Sequence, residues 1–268
     1  MTSDSKALWR EAATKVPEVT LIFWIIKIAA TTLGETGGDS VTMTWLHADQ
    51  NAHNGGYLIG TGIFFGVFIA AVALQILVEK FNPWLYWAAI VASTTVGTAL
   101  ADLVDRSLGI GYPGGVAILL SCVIASLAVW RWALGSIDVQ TVATPRVEIF
   151  YWVTITFSQT LGTALGDWMA DSAGLGYGGG ALVFSAGLAV LAALYFWTNV
   201  SRVLLFWAAF ILTRPLGATV GDFLDKPIHH GGLAFSRPIA SAIIAAFIVG
   251  CILLLPQRAG RHPGEASV

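Results

Sequence analysis

Eight apolar runs follow one another along the chain, separated by short polar segments. They cover roughly residues 18–38, 57–78, 84–104, 113–134, 148–169, 178–199, 203–223 and 237–256. An apolar helix of about 20 residues is long enough to cross the hydrocarbon core of a bilayer. The pattern predicts an all-α integral membrane protein with eight transmembrane helices and the lipid bilayer as its surroundings.

The first run of each successive pair carries the same motif. A tryptophan precedes a glycine by ten residues, and the glycine precedes an aspartate by five. The tryptophans are Trp24, Trp87, Trp152 and Trp207, the glycines Gly34, Gly97, Gly162 and Gly217, and the aspartates Asp39, Asp102, Asp167 and Asp222. Such a period indicates four tandem two-helix repeats, at about 18–80, 81–135, 147–200 and 203–257. Two spans return the chain to the same side, so the repeats are parallel.

Composition supports the membrane assignment. The chain is 56% hydrophobic and 11% charged, whereas an ordinary soluble domain is about 25% charged. We expect one transmembrane domain over 18–257. Residues 1–17 are expected to form a cytoplasmic amphipathic segment on the membrane surface, and residues 258–268 a disordered cytoplasmic tail. The net charge of -2 gives no reason to expect nucleic acid as a partner.

The distribution of Lys and Arg between the spans predicts the orientation. Nine of these residues fall on the side of the amino terminus and three on the opposite side. The nine are Lys6, Arg10, Lys15, Lys80, Arg131, Arg146, Arg202, Arg258 and Arg261, and the three are Arg106, Lys226 and Arg237. By the positive-inside rule, both termini are cytoplasmic, and the motif aspartates lie toward the outer side. Tryptophans at the inner helix ends, including Trp84, are expected to be interfacial anchors.

Carboxylates cluster in the repeat motifs. They are Glu35, Asp39, Asp102, Asp105, Asp167, Asp171, Asp222 and Asp225. Spacings of three or four residues place both members of a pair on one helix face, and charges at membrane depth turn away from lipid. We therefore expect an outer vestibule lined with carboxylates, which suits a divalent cation such as Mg²⁺, Ca²⁺ or Mn²⁺. The alternative is that these aspartates cap helices at the membrane surface.

Each motif is followed by an aromatic residue or histidine, one further residue and two glycines. The four signatures begin at His53, Tyr112, Tyr177 and His229, and each is expected to open the second helix of its repeat. His53 and His229 are candidate ligands that would favour a borderline metal such as Mn or Zn.

Two cations lie inside predicted spans. Arg214 stands three residues before Gly217, and the equivalent residues of the other repeats are Thr31, Thr94 and Gln159. These four residues predict a polar layer beneath the carboxylates. We expect Arg214 to pair with Glu35, either as a structural lock or as a group that couples protons to ion movement. Lys27 either extends its ammonium toward the inner surface or stays inside as an internal counter-ion.

The chain resembles a family of bacterial inner-membrane proteins that is known as four tandem two-helix repeats of unknown function. The resemblance rests on the repeated tryptophan and on the opening Lys15-Val-Pro-Glu-Val-Thr, which is followed by Lys27-Ile-Ala-Ala-Thr-Thr-Leu-Gly-Glu-Thr-Gly-Gly-Asp39. It extends over about residues 15–257 and implies a location in the bacterial inner membrane. It implies no activity.

Several function classes lack their motifs. The sequence has no Walker A loop, no HExxH zinc motif and no GxSxG elbow. We expect a transporter of a small ion, with a divalent metal cation as cargo, proton or potential coupling, and a mild preference for export. A membrane-embedded ion or small-molecule sensor is the first alternative, and an intramembrane enzyme is the second. An oligomer, with the pathway between subunits, is a further possibility.

Overall fold

The computed structural model describes residues 14–47, 55–104 and 110–260. This part of the chain contains eight α-helices, labelled α1 to α8 in chain order. They are α1 (Leu21–Asp39), α2 (Gly56–Leu77), α3 (Pro83–Asp102), α4 (Tyr112–Leu134), α5 (Pro145–Asp167), α6 (Gly176–Trp197), α7 (Arg202–Asp225) and α8 (Arg237–Leu254). The helix bounds follow the eight apolar runs closely, which confirms an all-helical chain.

Helix ends follow local sequence signals. The side chains of Thr20, Asn82 and Ser201 accept hydrogen bonds from backbone N–H groups in the first turns of α1, α3 and α7. Such caps satisfy donors that have no partner within the helix. At their carboxyl-terminal ends, which carry the motif aspartates and are called the outer ends below, α1 and α5 continue as π-helical turns over Ser40–Trp45 and Trp168–Ser172.

The first helices of the repeats form a closed ring. Helix α1 packs against α3, α3 against α5, α5 against α7, and α7 returns to α1. The second helices form a peripheral layer around the ring, in which α2 packs on α3, α4 on α5, α6 on α7 and α8 on α1. Each repeat therefore lays its second helix against the first helix of the next repeat. The four first helices thus surround a common centre.

The motif glycines allow the ring helices to approach closely. A methyl group at Gly34 would overlap Thr94, one at Gly162 would overlap Arg214, and one at Gly217 would overlap Thr31. At Gly97 it would lie 2.8 Å from Gln159 Cβ. In every case the contacted residue stands three positions before the motif glycine of the next repeat. Thr31, Thr94, Gln159 and Arg214 thus form one layer, called the central layer below, as the sequence predicted.

Six of the eight described helices are long and apolar enough to cross a membrane: α2, α3, α4, α6, α7 and α8. The peripheral second helices direct large apolar side chains away from the protein, and Leu182 of α6 is 73% exposed. Helices α1 and α5 are less apolar because they carry polar residues toward the ring interior, among them Lys27 and Gln159. An apolar exterior around a polar centre is the arrangement expected of a membrane protein.

Three of the four repeated tryptophans were wrongly expected to be interfacial anchors. Trp87, Trp152 and Trp207 are buried in the core at the inner end of the ring, whereas Trp24 is half-buried. They lie against an aromatic layer made by the residue before each tryptophan, namely Phe23, Tyr86, Tyr151 and Phe206. Packing against this layer buries the three tryptophans. Trp84, which lies outside this layer, is 45% exposed and fits the anchor role.

The two ends of the described chain meet at the inner end of the bundle. Pro17 and Ala259 form an antiparallel bridge, and the Glu18 N–H donates to the Arg258 carbonyl at 2.9 Å. Residues 257–260 are therefore ordered, which corrects the expected disorder from residue 258 onward for this part of the tail. Lys15 is also buried rather than on a surface helix, because its ammonium lies 2.6 Å from Glu148 Oε1.

The glycine pairs open three of the four second helices. Helices α2, α4 and α6 begin at or within four residues of their pairs. In the fourth repeat the expectation is wrong, because Ile228–His230 form a short 3₁₀ turn that ends at Gly231 with a positive φ of 84°. Helix α8 begins only at Arg237.

Candidate functional site

Arg214 occupies the centre of the ring and is 0% exposed. Its Nη2 atom lies 2.9 Å from Glu35 Oε2, and also 2.6 Å from Thr98 Oγ1 and 2.5 Å from Thr163 Oγ1. These acceptors belong to α1, α3 and α5, so the guanidinium of α7 joins all four ring helices. The predicted ion pair between Arg214 and Glu35 is confirmed. Its role in gating or coupling stays a prediction.

Glu35, Thr98 and Thr163 occupy equivalent positions, each directly after its motif glycine. The fourth member of this level is Ala218, which follows Gly217. Thr98 donates a further hydrogen bond to Glu35 Oε2 at 3.3 Å. Charge-assisted hydrogen bonds of this kind are stronger than neutral ones, and they fix the orientation of the carboxylate. Thr98 and Thr163 were not predicted as site residues, although their position directly after the motif glycine is a sequence signal that could have identified them.

A second charged group lies nearer the outer end of the ring. The Lys226 ammonium is 2.6 Å from Asp39 Oδ2 and 3.1 Å from Asp222 Oδ1. Asp39 ends α1, Asp222 lies in the last turn of α7, and all three residues are buried. Lys226 therefore acts as a shared counter-ion between two adjacent ring helices. Lys226 was expected in an outer segment between spans, although its spacing of four residues from Asp222 is a signal for this contact.

Glu35, Asp39 and Asp222 come together as a candidate cation site. Each offers a carboxylate oxygen, and the three oxygens lie within 4.8 Å of one another. The Oδ1 atom of Asp39 is buried and has no hydrogen-bond partner among the described residues. Oxygen ligands of this type suit hard divalent cations. The ammonium of Lys226 and the guanidinium of Arg214 now neutralise part of this negative charge.

The remaining predicted carboxylates are more distant or have other partners. Asp102 and Asp167 are buried at the outer ends of α3 and α5, and among the described residues the three-carboxylate group does not include them. Asp225 is also buried, and its Oδ2 atom lies 3.8 Å from Arg237 Nε. The four motif aspartates therefore do not form one shared ligand set.

Other predicted ligands lie outside the candidate cation site or outside the described residues. Asp171 is exposed and accepts a hydrogen bond from the Tyr112 hydroxyl at 3.3 Å. It lies in a π-helical turn, so its side chain does not point in the direction that an α-helical spacing predicts. His229 is exposed in the 3₁₀ turn. Asp105 and His53 lie outside the described residues.

Lys27 does not extend to the inner surface as one prediction had it. Its side chain is 0% exposed, and its ammonium lies 4.1 Å from the centre of the Phe210 ring. The four ring helices enclose it, so the alternative of an internal cation is the one observed. In the central layer, Thr31 and Thr94 donate hydrogen bonds to backbone carbonyls of neighbouring ring helices.

The fold and the buried charged centre define a class of helical proteins in which four two-helix repeats close into a ring. A family model described as Repeat of Unknown Function (DUF347) matches residues 22–81, 85–135, 150–201 and 205–257. The chain belongs to this family. The matched segments agree with the four repeats read from the tryptophan spacing. Comparisons with curated proteins and with solved structures give no match.

Proposed function

We propose that the protein is an eight-span transporter of a small ion in the bacterial inner membrane, with a divalent metal cation as cargo. Helices α1 and α5 would complete the eight spans, because their polar side chains are buried away from lipid. The meeting of residues 17 and 259 at one end of the bundle supports termini on the same side. The excess of Lys and Arg on that side favours the cytoplasm.

The observation that carries the cation proposal is the group formed by Glu35, Asp39 and Asp222. Three carboxylates from two adjacent ring helices are buried within reach of one ion. Carboxylates at membrane depth are costly and commonly belong to ion pathways. Lys226 balances two of them in the absence of cargo, and its long flexible side chain can leave when a divalent cation enters from the outer side.

Arg214 gives the same proposal a coupling element. Its guanidinium holds Glu35 and joins the four ring helices immediately beneath the three carboxylates. A cation that takes Glu35 as a ligand weakens the ion pair with Arg214, which loosens the contact among the helices. Proton or potential coupling would act through this exchange of partners.

The direct test is divalent binding by the purified protein in detergent. Mn²⁺, Mg²⁺, Ca²⁺, Zn²⁺, Co²⁺ and Ni²⁺ are titrated calorimetrically into the wild type, Asp39→Asn and Asp222→Asn, with the exposed Asp171→Asn as matched control. We expect a saturable site in the wild type, and a loss of affinity of more than about tenfold in the first two variants only. Lys226→Gln is expected to bind more tightly, because the competing ammonium is gone. A wild type without any saturable site contradicts the proposal.

A second candidate is a membrane-embedded ion sensor that binds without transport. It is favoured by the tight layers beneath the carboxylates, where Arg214 fills the ring centre and the aromatic layer closes its inner end. The same variants in proteoliposomes separate the two functions. Saturable binding with cation flux across the vesicle membrane supports the transporter, whereas binding without flux supports the sensor.

A further inference from the structure

A second group of polar atoms lies deeper in the ring than the outer carboxylates. Lys27 Nζ, Arg214 Nε and Nη1, and both amide atoms of Gln159 are buried without a hydrogen-bond partner among the described residues. All three side chains are 0% exposed. Buried polar groups in folded proteins nearly always have a partner. Several such atoms within one ring of helices indicate that a bound species supplies the missing interactions.

A comparison of equivalent repeat positions explains why these polar atoms lie inside the ring. In two of the four interfaces of the ring, a threonine of the central layer is satisfied by the preceding helix. Thr94 Oγ1 donates to the Ala30 carbonyl at 3.1 Å, and Thr31 Oγ1 donates to the Thr213 carbonyl at 3.2 Å. Gln159 and Arg214 occupy the same place in the other two interfaces. Their longer side chains place additional donors inside the ring.

The two cations at this depth lack acceptors. Arg214 has Glu35 as its carboxylate partner through Nη2, while its Nε and Nη1 atoms have none among the described residues. The favourable contact of the Lys27 ammonium is the Phe210 ring, while Arg214 acts on it with a charge of the same sign. A buried cation is expensive when it has lost its hydration without gaining an acceptor. A bound anion would supply one acceptor to both groups.

We propose that a small monovalent anion of the halide class binds between Lys27 and the Nε–Nη1 edge of Arg214, with the Gln159 amide as a neutral donor. A single anion can accept from the ammonium and from the guanidinium edge at once. Arg214 packs closely on Gly162 and Gln159 on Gly97, and such close packing of the ring helices favours a small ion. Ser158 supplies a further buried hydroxyl without a partner on α5, the ring helix next to α7. The site shares Arg214 with the proposed coupling element, but its ligand atoms differ from the three carboxylates proposed to bind the cation.

The first experiment measures thermal unfolding of the purified full-length protein in detergent with EDTA. Sodium chloride and sodium bromide are compared with sodium gluconate at equal ionic strength. We expect both halides to raise the midpoint of the wild type by about 3 °C or more, since a ligand that binds the folded state stabilises it. Lys27→Met is expected to lose this shift. Lys80→Met removes an exposed lysine at the inner end of the bundle and is expected to keep it.

The second experiment locates the ion directly in the wild type and therefore does not depend on how the variant folds. Crystals grown in sodium bromide are measured at the bromine absorption edge. An anomalous peak between Lys27 Nζ and Arg214 supports the proposal. Ordered water there without bromide overturns it, and so does an equal halide shift in Lys27→Met. Because EDTA removes divalent cations from the unfolding measurement, its outcome does not depend on the cation proposal.

Discussion

The two ends of the ring are built from the same four helices with opposite chemistry. At the inner end, the hydroxyls of Tyr86 and Tyr151 meet at 2.6 Å within a layer of aromatic rings. At the outer end, Asp39 and Asp222 share the ammonium of Lys226. Within the aromatic layer, neutral hydroxyls satisfy one another, whereas the outer end depends on charges that must remain balanced.

The difference between the two ends follows from how closely the four repeats agree at each level of the ring. Every repeat places Phe or Tyr, then Trp, at the inner level, and all of these residues belong to or pack against one core cluster. The level directly after the motif glycine varies, with Glu35, two threonines (Thr98 and Thr163) and Ala218. Four identical acids at that level would repel one another, and four alanines would hold no ion. The central ion pair therefore comes from positions where the repeats differ, whereas the aromatic layer comes from positions where they agree.

The largest expected effect comes from removing the charge at the centre of the ring. Arg214→Met leaves Glu35 buried without its cation and removes the link among four helices. Breaking a buried ion pair from one side typically costs about 3–5 kcal/mol. We expect a loss of that order in the free energy of unfolding, measured by denaturant titration in detergent micelles.

The double variant Glu35→Gln with Arg214→Met serves as its control. Because no charge is then left unpaired, we expect the double variant to be more stable than Arg214→Met alone. Equal instability of both variants would show that packing of the arginine side chain, rather than its charge, holds the ring together.

A smaller effect is expected at the close contact between α7 and α1. A Cβ at Gly217 would overlap the Thr31 side chain and lie 2.8 Å from its backbone carbonyl carbon. Overpacking of this kind typically costs about 1–3 kcal/mol. We expect Gly217→Ala to lower the unfolding midpoint. Gly66→Ala in α2 has no atom within 4 Å of the new methyl group and is expected to be neutral or slightly stabilising. Equal midpoints for the two variants would contradict the close-contact role.

The sequence predicted the scaffold well because repetition constrains it. A fixed offset between Trp, Gly and Asp located the repeats, and the position three residues before each glycine located the central layer. The pairing of Arg214 with Glu35 followed from their shared depth. Each of these features depends on regular α-helical spacing, which the ring helices maintain.

Predictions failed where the regular spacing ends. Asp171 lies in a π-helical turn, so α-helical periodicity does not determine its direction. Lys226 lies directly after α7 and was expected in a segment between spans, although its helical spacing from Asp222 holds. The tryptophans were misplaced for another reason. An aromatic residue at a helix end suits both the lipid interface and a packed core. The closure of four helices into a ring is a tertiary property that no single span reveals.

The smallest effect is expected at the inner end and sharpens the contrast with the charged centre. Tyr86→Phe or Tyr151→Phe alone leaves one buried hydroxyl without its partner, which we expect to cost about 1 kcal/mol in the free energy of unfolding. The double variant removes both hydroxyls and keeps the aromatic rings, so we expect it to unfold close to the wild type. A double-mutant cycle from denaturant titrations measures this coupling.

The size of that coupling decides how the inner end is closed. If packing of the rings closes it, the double phenylalanine variant keeps both its stability and the tightness of vesicles to protons. If the hydroxyl pair itself is required to close the inner end, the stability losses of the two single variants add. The double variant is then the least stable of the three. We expect the first result, because the four aromatic side chains and their neighbouring tryptophans are in mutual contact without the hydroxyls.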